Sequence, residues 1–136
     1  MVEQKEIKLN AQPRGFHLIT NEVVRYIPKI TGIVNIFMKH TSASLTINEN
    51  ADPTVREDFE THFNKMVSDK ETYYKHTYEG LDDMTSHIKT SILGSSINFP
   101  IKKGVPLFGT WQGIYLCEHR NGGKTRNIII TSYGEA

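Results

Sequence analysis

An α+β fold is predicted by three observations. Segments rich in Val, Ile and Phe with strand-like alternation cluster at the two ends of the chain. Two segments with helical periodicity occupy the middle. Strands and helices do not alternate as βαβ units. The architecture expected is a folded-over mixed β-sheet, sandwich-like, with two main helices, formed as one domain by all 136 residues.

Each element has its own signal. Residues 2 to 9 alternate loosely and read as a first strand, and 15 to 19 as a second. Thr20 is an expected N-cap for a short helix over 21 to 26, ended by Ile27-Pro28. Residues 32 to 40 read as a strand. Residues 42 to 48 alternate strictly, with Ala43, Leu45 and Ile47 on one face and Ser42, Ser44, Thr46 and Asn48 on the other. Asp52-Pro53 starts a helix, Asp as cap and Pro in the first turn, with Val55, Phe59, Phe63 and Met66 as its apolar stripe. A polar loop spans 68 to 77. A second helix runs from Asp82 to Leu93, ended by Gly94, with Leu81, Met84, Ile88 and Ile92 as its expected core stripe. Short strands follow at 97 to 101, 105 to 110 and 112 to 119. Asn121-Gly122-Gly123 is a turn, and 126 to 132 returns as a strand whose Ile128-Ile129-Ile130 run is expected to be buried on both faces.

Composition excludes some functions. Sixteen Lys and Arg against fifteen Asp and Glu give a formal charge of +1, without the basic excess of a nucleic-acid footprint. No segment approaches the ~20 apolar residues of a membrane span, and the N-terminus lacks the apolar core of a signal peptide. A cytoplasmic protein is the expectation. The single Cys117 forms no internal disulfide and no zinc-type cysteine pair, and reads as a buried, inert thiol.

Chemistry concentrates in a few polar segments. Asp83 and His87 stand four apart on one helix face, where a carboxylate orients an imidazole. Their alternative is a surface ion pair. His87 lies about 60° from Met84, at the edge of the stripe. His76 and Glu79 come from the loop just before. His62, inside the first long helix's stripe, reads as a core or partner-facing histidine. His40 ends a strand, and the polar face from Ser42 through Ser44 to Asn48, if not simply a β-turn with its usual hydroxyls, leads to Glu49 and Asn50 beside a helix N-terminus, a place for phosphate or a hydrated cation. Thr110, Trp111 and Gln112 between glycines could stack on and hydrogen-bond a planar ring, or form a bulge around one packed Trp. By alternation, Glu118 shares a face with Ile114 and Leu116, and is either at the rim or paired. His119 shares one with Tyr115 and Cys117. Arg120 is a candidate phosphate clamp. Gly123-Lys124-Thr125 fails as a P-loop because residue 118 is Glu, and Ser44 sits in no nucleophile elbow.

Taken in order, HTSASL from His40, NENAD from Asn48, HTYEGLDDM from His76, His87-Ile88-Lys89, GVPLFGTWQGIY from Gly104 and Glu118-His119-Arg120 resemble the YjbQ-like, secondary thiamine-phosphate synthase family, over nearly the whole chain from Phe16. Thr85-Ser86 departs from the smaller or proline residues usual there. The resemblance implies a sandwich-like α+β fold, a homotrimer and weak coupling of a hydroxymethylpyrimidine pyrophosphate to a thiazole phosphate with release of pyrophosphate. Carried over by position, it makes His40, Asn48, Glu49, Asp83, His87, Trp111, Gln112, His119 and Arg120 site candidates.

The functional expectations are therefore three. In the synthase, Arg120 and Lys89 meet phosphate, although Lys89 points about 160° from His87 around the helix. Glu49 or Asp83 holds a cation such as Mg²⁺, and Trp111 and Gln112 meet the ring. In a metal-assisted hydrolase or phosphatase, His76, His87 and His119 bind Zn²⁺ or another divalent ion. In the third, the same pocket binds a phosphorylated metabolite in a trimer without catalysis.

Overall fold

The computed structural model describes residues 1–136. The chain runs β1 (Val2–Leu9), β2 (Gly15–Leu18), α1 (Thr20–Val24), β3 (Thr31–Met38), β4 (Ala43–Glu49), α2 (Pro53–Met66), α3 (Leu81–Leu93), β5 (Ser96–Lys102), β6 (Val105–Pro106), β7 (Gln112–Glu118) and β8 (Arg126–Glu135). The strands form two sheets. A five-stranded sheet has the order β1-β8-β3-β5-β6, and a three-stranded sheet the order β2-β7-β4. The α+β, sandwich-like class is as expected. The mixed character is not found: every pair is antiparallel, and no neighbours are joined by the crossover that parallel strands require.

Strand β7 shows why the layers stack as they do. Its Ile114 and Leu116 face the large sheet and join Ala43, Leu45, Val34, Ile36, Ile128 and Ile130 in the main core. Its Tyr115 and Cys117 face the other way, against Phe16, Phe59, Phe63 and Leu93. The small sheet is thus buried on both faces, by the large sheet on one side and by α2 and α3 on the other. Fully burying each large aliphatic side chain in such a core contributes about 1.5–3 kcal/mol. Phe59 and Phe63 of α2 meet Phe16 at ring-centroid distances of 5.2 and 5.8 Å.

Asp52 caps α2 as expected, its carboxylate accepting from the Thr54 N–H at 2.9 Å. Met66, placed in that helix's stripe, is exposed, and His62 points to solvent instead of into a core. Thr20 does not cap α1. Its hydroxyl accepts instead from the Ile114 N–H at 2.9 Å, tying the helix start to β7. Only Val105–Pro106 of the expected 105–110 strand pairs, because the chain turns away after Leu107. Ile128 and Ile130 are buried but Ile129 is not, since nothing covers the outer face of the large sheet. Gly113 is needed by its own chain: a Cβ there would lie 2.9 Å from both Asn50 Cβ and Leu18 Cδ2, so the missing side chain makes room for the protein itself.

The largest departure is α3. Its apolar stripe faces outward, with Leu81 67% and Ile92 52% exposed. Its buried residues are Asp82, Asp83, Thr85, Ser86, Lys89 and Thr90. The polar face is inside because partners wait for it there: Arg120 for Asp82 and Asp83, Asp69 for Thr85 and Asn64 for Lys89.

Candidate functional site

The first turn of α3 carries two acids, favoured there by the helix dipole. Both are buried and both hold Arg120. Asp82 Oδ2 accepts from Arg120 Nε at 2.9 Å and from the Asn121 N–H at 2.8 Å. Asp83 Oδ1 accepts from Arg120 Nη1 at 2.8 Å, and Arg120 Nη2 donates to the Glu79 carbonyl at 3.0 Å. Burial pushes the Asp82 carboxyl up, but Arg120 and the Asn121 N–H outweigh it and leave it below its ordinary range. Arg120 is thus spent on the protein. It locks the loop before α3 to the end of β7 and is not free to clamp a substrate phosphate.

Two imidazoles also converge on Asp83. His76, half exposed on the loop, brings Nε2 to 2.7 Å from Asp83 Oδ2. His87, one turn along α3, brings Nε2 to 3.3 Å from Asp83 Oδ1. The donor atoms of His76, Asp83 and His87 lie within 4.8 Å of one another. Asp83 Oδ2 is buried and accepts no hydrogen bond. His87 Nδ1 lies 2.9 Å from the Thr41 carbonyl, so Nδ1 carries the proton and donates it. The remaining Nε2 lone pair then faces a carboxylate oxygen. A cation held between them would satisfy both. Two imidazoles and one carboxylate, with an orphaned buried oxygen among them, suit a zinc-class divalent ion with an open coordination position. Magnesium, which prefers an all-oxygen shell, suits them less.

The expected metal set is corrected at one position. His119 is buried against β4, where its Nε2 and the Ser44 hydroxyl share a hydrogen bond of 2.8 Å. Phe16 packs on its ring edge-on. Burial, with Lys89, Arg14 and Arg126 nearby, pushes it down to about 3, and it stays neutral. Asp83 takes its place in the cluster. Ser44, placed on a polar strand face, is fully enclosed by this pairing.

Beside the cluster opens a cleft of about 580 Å³ lined by His40, Thr41, His87, Thr90, Ser91, Gly94 and Ser95, without a Lys or Arg. His40 Nε2 accepts from the Asn127 N–H at 2.8 Å, so its proton is on Nδ1. Burial first, then Arg126 and Lys39, hold His40 below its ordinary value, with Glu118 opposing.

The other candidates lie elsewhere. Lys89 is on the opposite face of α3, buried, with Nζ donating to Asn64 Oδ1 at 2.6 Å in a network with Arg14, Glu60 and Asp69. Asn48, Glu49, Thr110, Trp111 and Gln112 lie at the other end of the small sheet. In the β4–β7 register Glu49 pairs with Gln112, whereas Ala43 beside the cleft pairs with Glu118, a separation of about 20 Å along the strand at ~3.3 Å per residue. There the polar groups tie loops: Glu49 Oε2 accepts from the Asp52 N–H, Asn50 Nδ2 donates to the Thr110 and Gln112 carbonyls, and Gln112 Oε1 accepts from the Gly109 N–H. Trp111 is 63% exposed and stacks on nothing in its own chain. Asp82 reads from sequence only as a dipole-favoured acid or cap beside Asp83, and its bond to Arg120 is added by the fold. The Thr41 carbonyl and the cleft serines give no signal in the sequence.

No helix is long and apolar enough to cross a membrane. Residues 5–135 match the family model described as UPF0047 protein YjbQ-like. The YjbQ protein of Salmonella typhimurium is 53% identical over 136 residues, covering 97% of this chain and 98% of that one. The YugU protein of Bacillus subtilis is 38% identical, covering 85% and 87%. A Clostridium acetobutylicum structure, titled an uncharacterized conserved protein of this family, superposes with a TM-score of 0.82 at 36% identity over 93% and 97% of the chains. A YbjQ-like protein of unknown function from Sulfolobus solfataricus gives 0.86 at 26% over 99% of each. The blocks around His40, His76 to His87 and Glu118 to Arg120 therefore sit in a fold shared from end to end with these relatives, and the chain belongs to the YjbQ-like UPF0047 family.

Proposed function

We propose that this protein is a metal-dependent enzyme acting on a small phosphorylated metabolite, with the divalent ion held by His76, Asp83 and His87. The observation that carries the reading is the convergence of the His76 and His87 Nε2 atoms on the two oxygens of the buried Asp83, whose Oδ2 accepts no hydrogen bond, beside a polar cleft. When bound, the ion supplies Lewis-acid charge for a phosphoryl oxygen and lowers the pKa of a coordinated water. The chain's own residues do the rest. Asp83 and His87 fix the ion's position, Arg120 fixes Asp83, and His40 offers its Nδ1–H across the cleft to a substrate oxygen. Because the cleft lacks Lys and Arg, substrate phosphate relies on the ion for charge neutralisation. Hydrolysis of a phosphoester, with water attacking phosphorus and the alcohol leaving with its proton, needs nothing further from a single chain.

The second reading is the thiamine-phosphate synthase reaction that the family resemblance implies. The same ion would neutralise the departing pyrophosphate while the thiazole nitrogen attacks the pyrimidine methylene carbon. The ring platform, Trp111 with Gln112, is far from the ion in one chain, so this reading requires a neighbouring copy to supply it. A homotrimer is part of the proposal, and the uncovered stripe on α3 and the open outer face of the large sheet are the surfaces it has available.

Zinc- and manganese-loaded protein should be assayed for phosphate release from a panel of phosphomonoesters, and for thiamine phosphate from the two precursors. Activity that requires the ion and disappears in Asp83→Asn and His87→Ala supports the proposal. Wild-type protein that binds neither ion at micromolar concentration overturns it. Product from the precursor pair alone, lost in Trp111→Ala, selects the synthase.

A further inference from the structure

The buried pair at the end of β7 and the start of β8 has no part in the chemistry above. Glu118 and Arg126 are 0% and 5% exposed in their side chains, joined at 2.8 Å through Nε and 2.5 Å through Nη2. Glu118 is on the inter-sheet face, so a charge lies at the edge of the main core. The chain makes room for it: at Gly123 a Cβ would lie 2.7 Å from Glu118 Oε1 and 2.1 Å from the Gln12 carbonyl. A buried ion pair is poor evidence for stability, because a well-packed apolar pair often does as well. A positional role is a better account of its presence.

Arg126 has donors left after Glu118 is satisfied, and they go to one residue. Nη1 donates to Ser42 Oγ at 3.0 Å and Nη2 to the Ser42 carbonyl at 3.4 Å. The Ser42 carbonyl also accepts from the His119 N–H at 3.3 Å. Ser42 follows Thr41, whose carbonyl orients His87. The next residue after Arg126, Asn127, donates its N–H to His40 Nε2 and accepts from the Lys39 N–H at 3.1 Å. The segment from Lys39 to Ser42 is therefore held at both ends by two consecutive residues of β8. It bears both histidine-orienting contacts of the cleft.

We propose that Arg126 and Asn127 are positioning residues for the two cleft histidines. Arg126, anchored by Glu118, fixes the Ser42 turn so that the Thr41 carbonyl holds His87 with its proton on Nδ1 and its Nε2 lone pair toward Asp83. The Asn127 N–H holds His40 in the same tautomer, with Nδ1–H toward the cleft. Neither residue touches a ligand. The inference rests on the proposed metal reading only for its effect on ion affinity; the tautomers are a property of the metal-free protein.

The test is ¹⁵N-imidazole NMR of metal-free protein at mildly alkaline pH, with zinc titration alongside. Wild type should show His40 and His87 each as a single Nδ1–H tautomer. Arg126→Met should leave His40 unchanged, convert His87 to a tautomer mixture and weaken zinc binding by about 10–100-fold, the usual cost of losing an outer-shell partner. Arg126→Lys should recover part of both. Should Arg126→Met fail to fold, Ser42→Ala leaves the ion pair intact and should shift the His87 signals in the same direction by less. An Nε2–H tautomer at either histidine in wild type overturns the proposal. So does an unaltered His87 tautomer in Arg126→Met, or in Ser42→Ala if that is the variant that folds. A wild type that binds no zinc but shows the stated tautomers sinks the metal reading and leaves this one standing.

Discussion

Arg120 Nη1 and Asp83 Oδ1 are 2.8 Å apart, and this contact turns the other carboxylate oxygen toward His76. The guanidinium thereby selects which oxygen of Asp83 stays orphaned at the candidate ion site. Removing it should cost ion affinity without removing a ligand. Arg120→Ala is expected to weaken zinc binding by about 10–100-fold in calorimetry. It should also lower the melting temperature, since Asp82 and Asp83 would then be buried without their cation. Arg120→Lys restores charge but not the forked geometry, and should recover stability more than affinity. Unchanged affinity in the Ala variant would mean that Arg120 does not set the orientation of Asp83 at the ion.

Stability should fall as pH drops below the ordinary histidine range, with His119 as a main cause. Its folded value is about 3 against an ordinary 6.5. Between these values the unfolded chain binds a proton that the native state refuses. Stability therefore rises with pH across that window and levels off above 6.5. One such group gives a slope approaching about 1.4 kcal/mol per pH unit. His40, also lowered, adds in the same direction. Asp69 and Asp82 act in a lower window. Burial raises each, but Arg14 with Thr85, and Arg120 with Asn121, outweigh it, so their contribution is full above 3.8 and lost as pH falls through their folded values. Urea unfolding of His119→Gln between pH 4 and 7 should show a flatter curve than wild type. Parallel curves would mean that His119 is protonated in the fold.

The Cys117 thiol should be silent in the native protein. Burial raises it to about 12, with Ser44 opposing and Glu60 adding. Iodoacetamide at pH 8 should leave native protein unmodified over hours and label it completely after denaturation. Rapid native labelling would show that the layer between the small sheet and α2 opens readily.

The sequence was most informative where one physical signal sufficed. The Asp52-Pro53 cap, the alternation of β4 and the Asn121-Gly122 turn are local, and each stands where local chemistry puts it. It was least informative where distance along a sheet decides. Glu49 and Trp111 read as site residues because they are polar or aromatic beside glycines. Only the β4–β7 register shows that they lie at the opposite end from His40 and Asp83. Periodicity also gives a helix a stripe without saying which side is inside. The usual assumption, apolar inward, failed for α3 because Asp82, Asp83 and Lys89 find buried partners in Arg120 and Asn64 that the alternation of neighbouring strands does not reveal.

That inversion leaves Leu81, Met84, Ile88 and Ile92 as an apolar row on the same helix as the candidate ion ligands Asp83 and His87, whose buried face is polar. An exposed apolar row of this kind is a candidate surface for the neighbouring copy proposed above. If a neighbouring copy covers it, charge there should separate the copies and spare the fold, since the exposed Ile92 and Leu81 contribute little to their own chain's core. On the trimer proposal wild type should scatter as an oligomer, and Ile92→Asp, alone and with Leu81→Lys, should reduce that mass to the monomer's while the far-UV spectrum stays native. An oligomer that survives both substitutions would move the interface to the outer face of the large sheet, where Ile33, Phe37 and Tyr133 are the exposed apolar residues. The α3 row would then face solvent, and His76 and His87 would meet substrate without a neighbour's help.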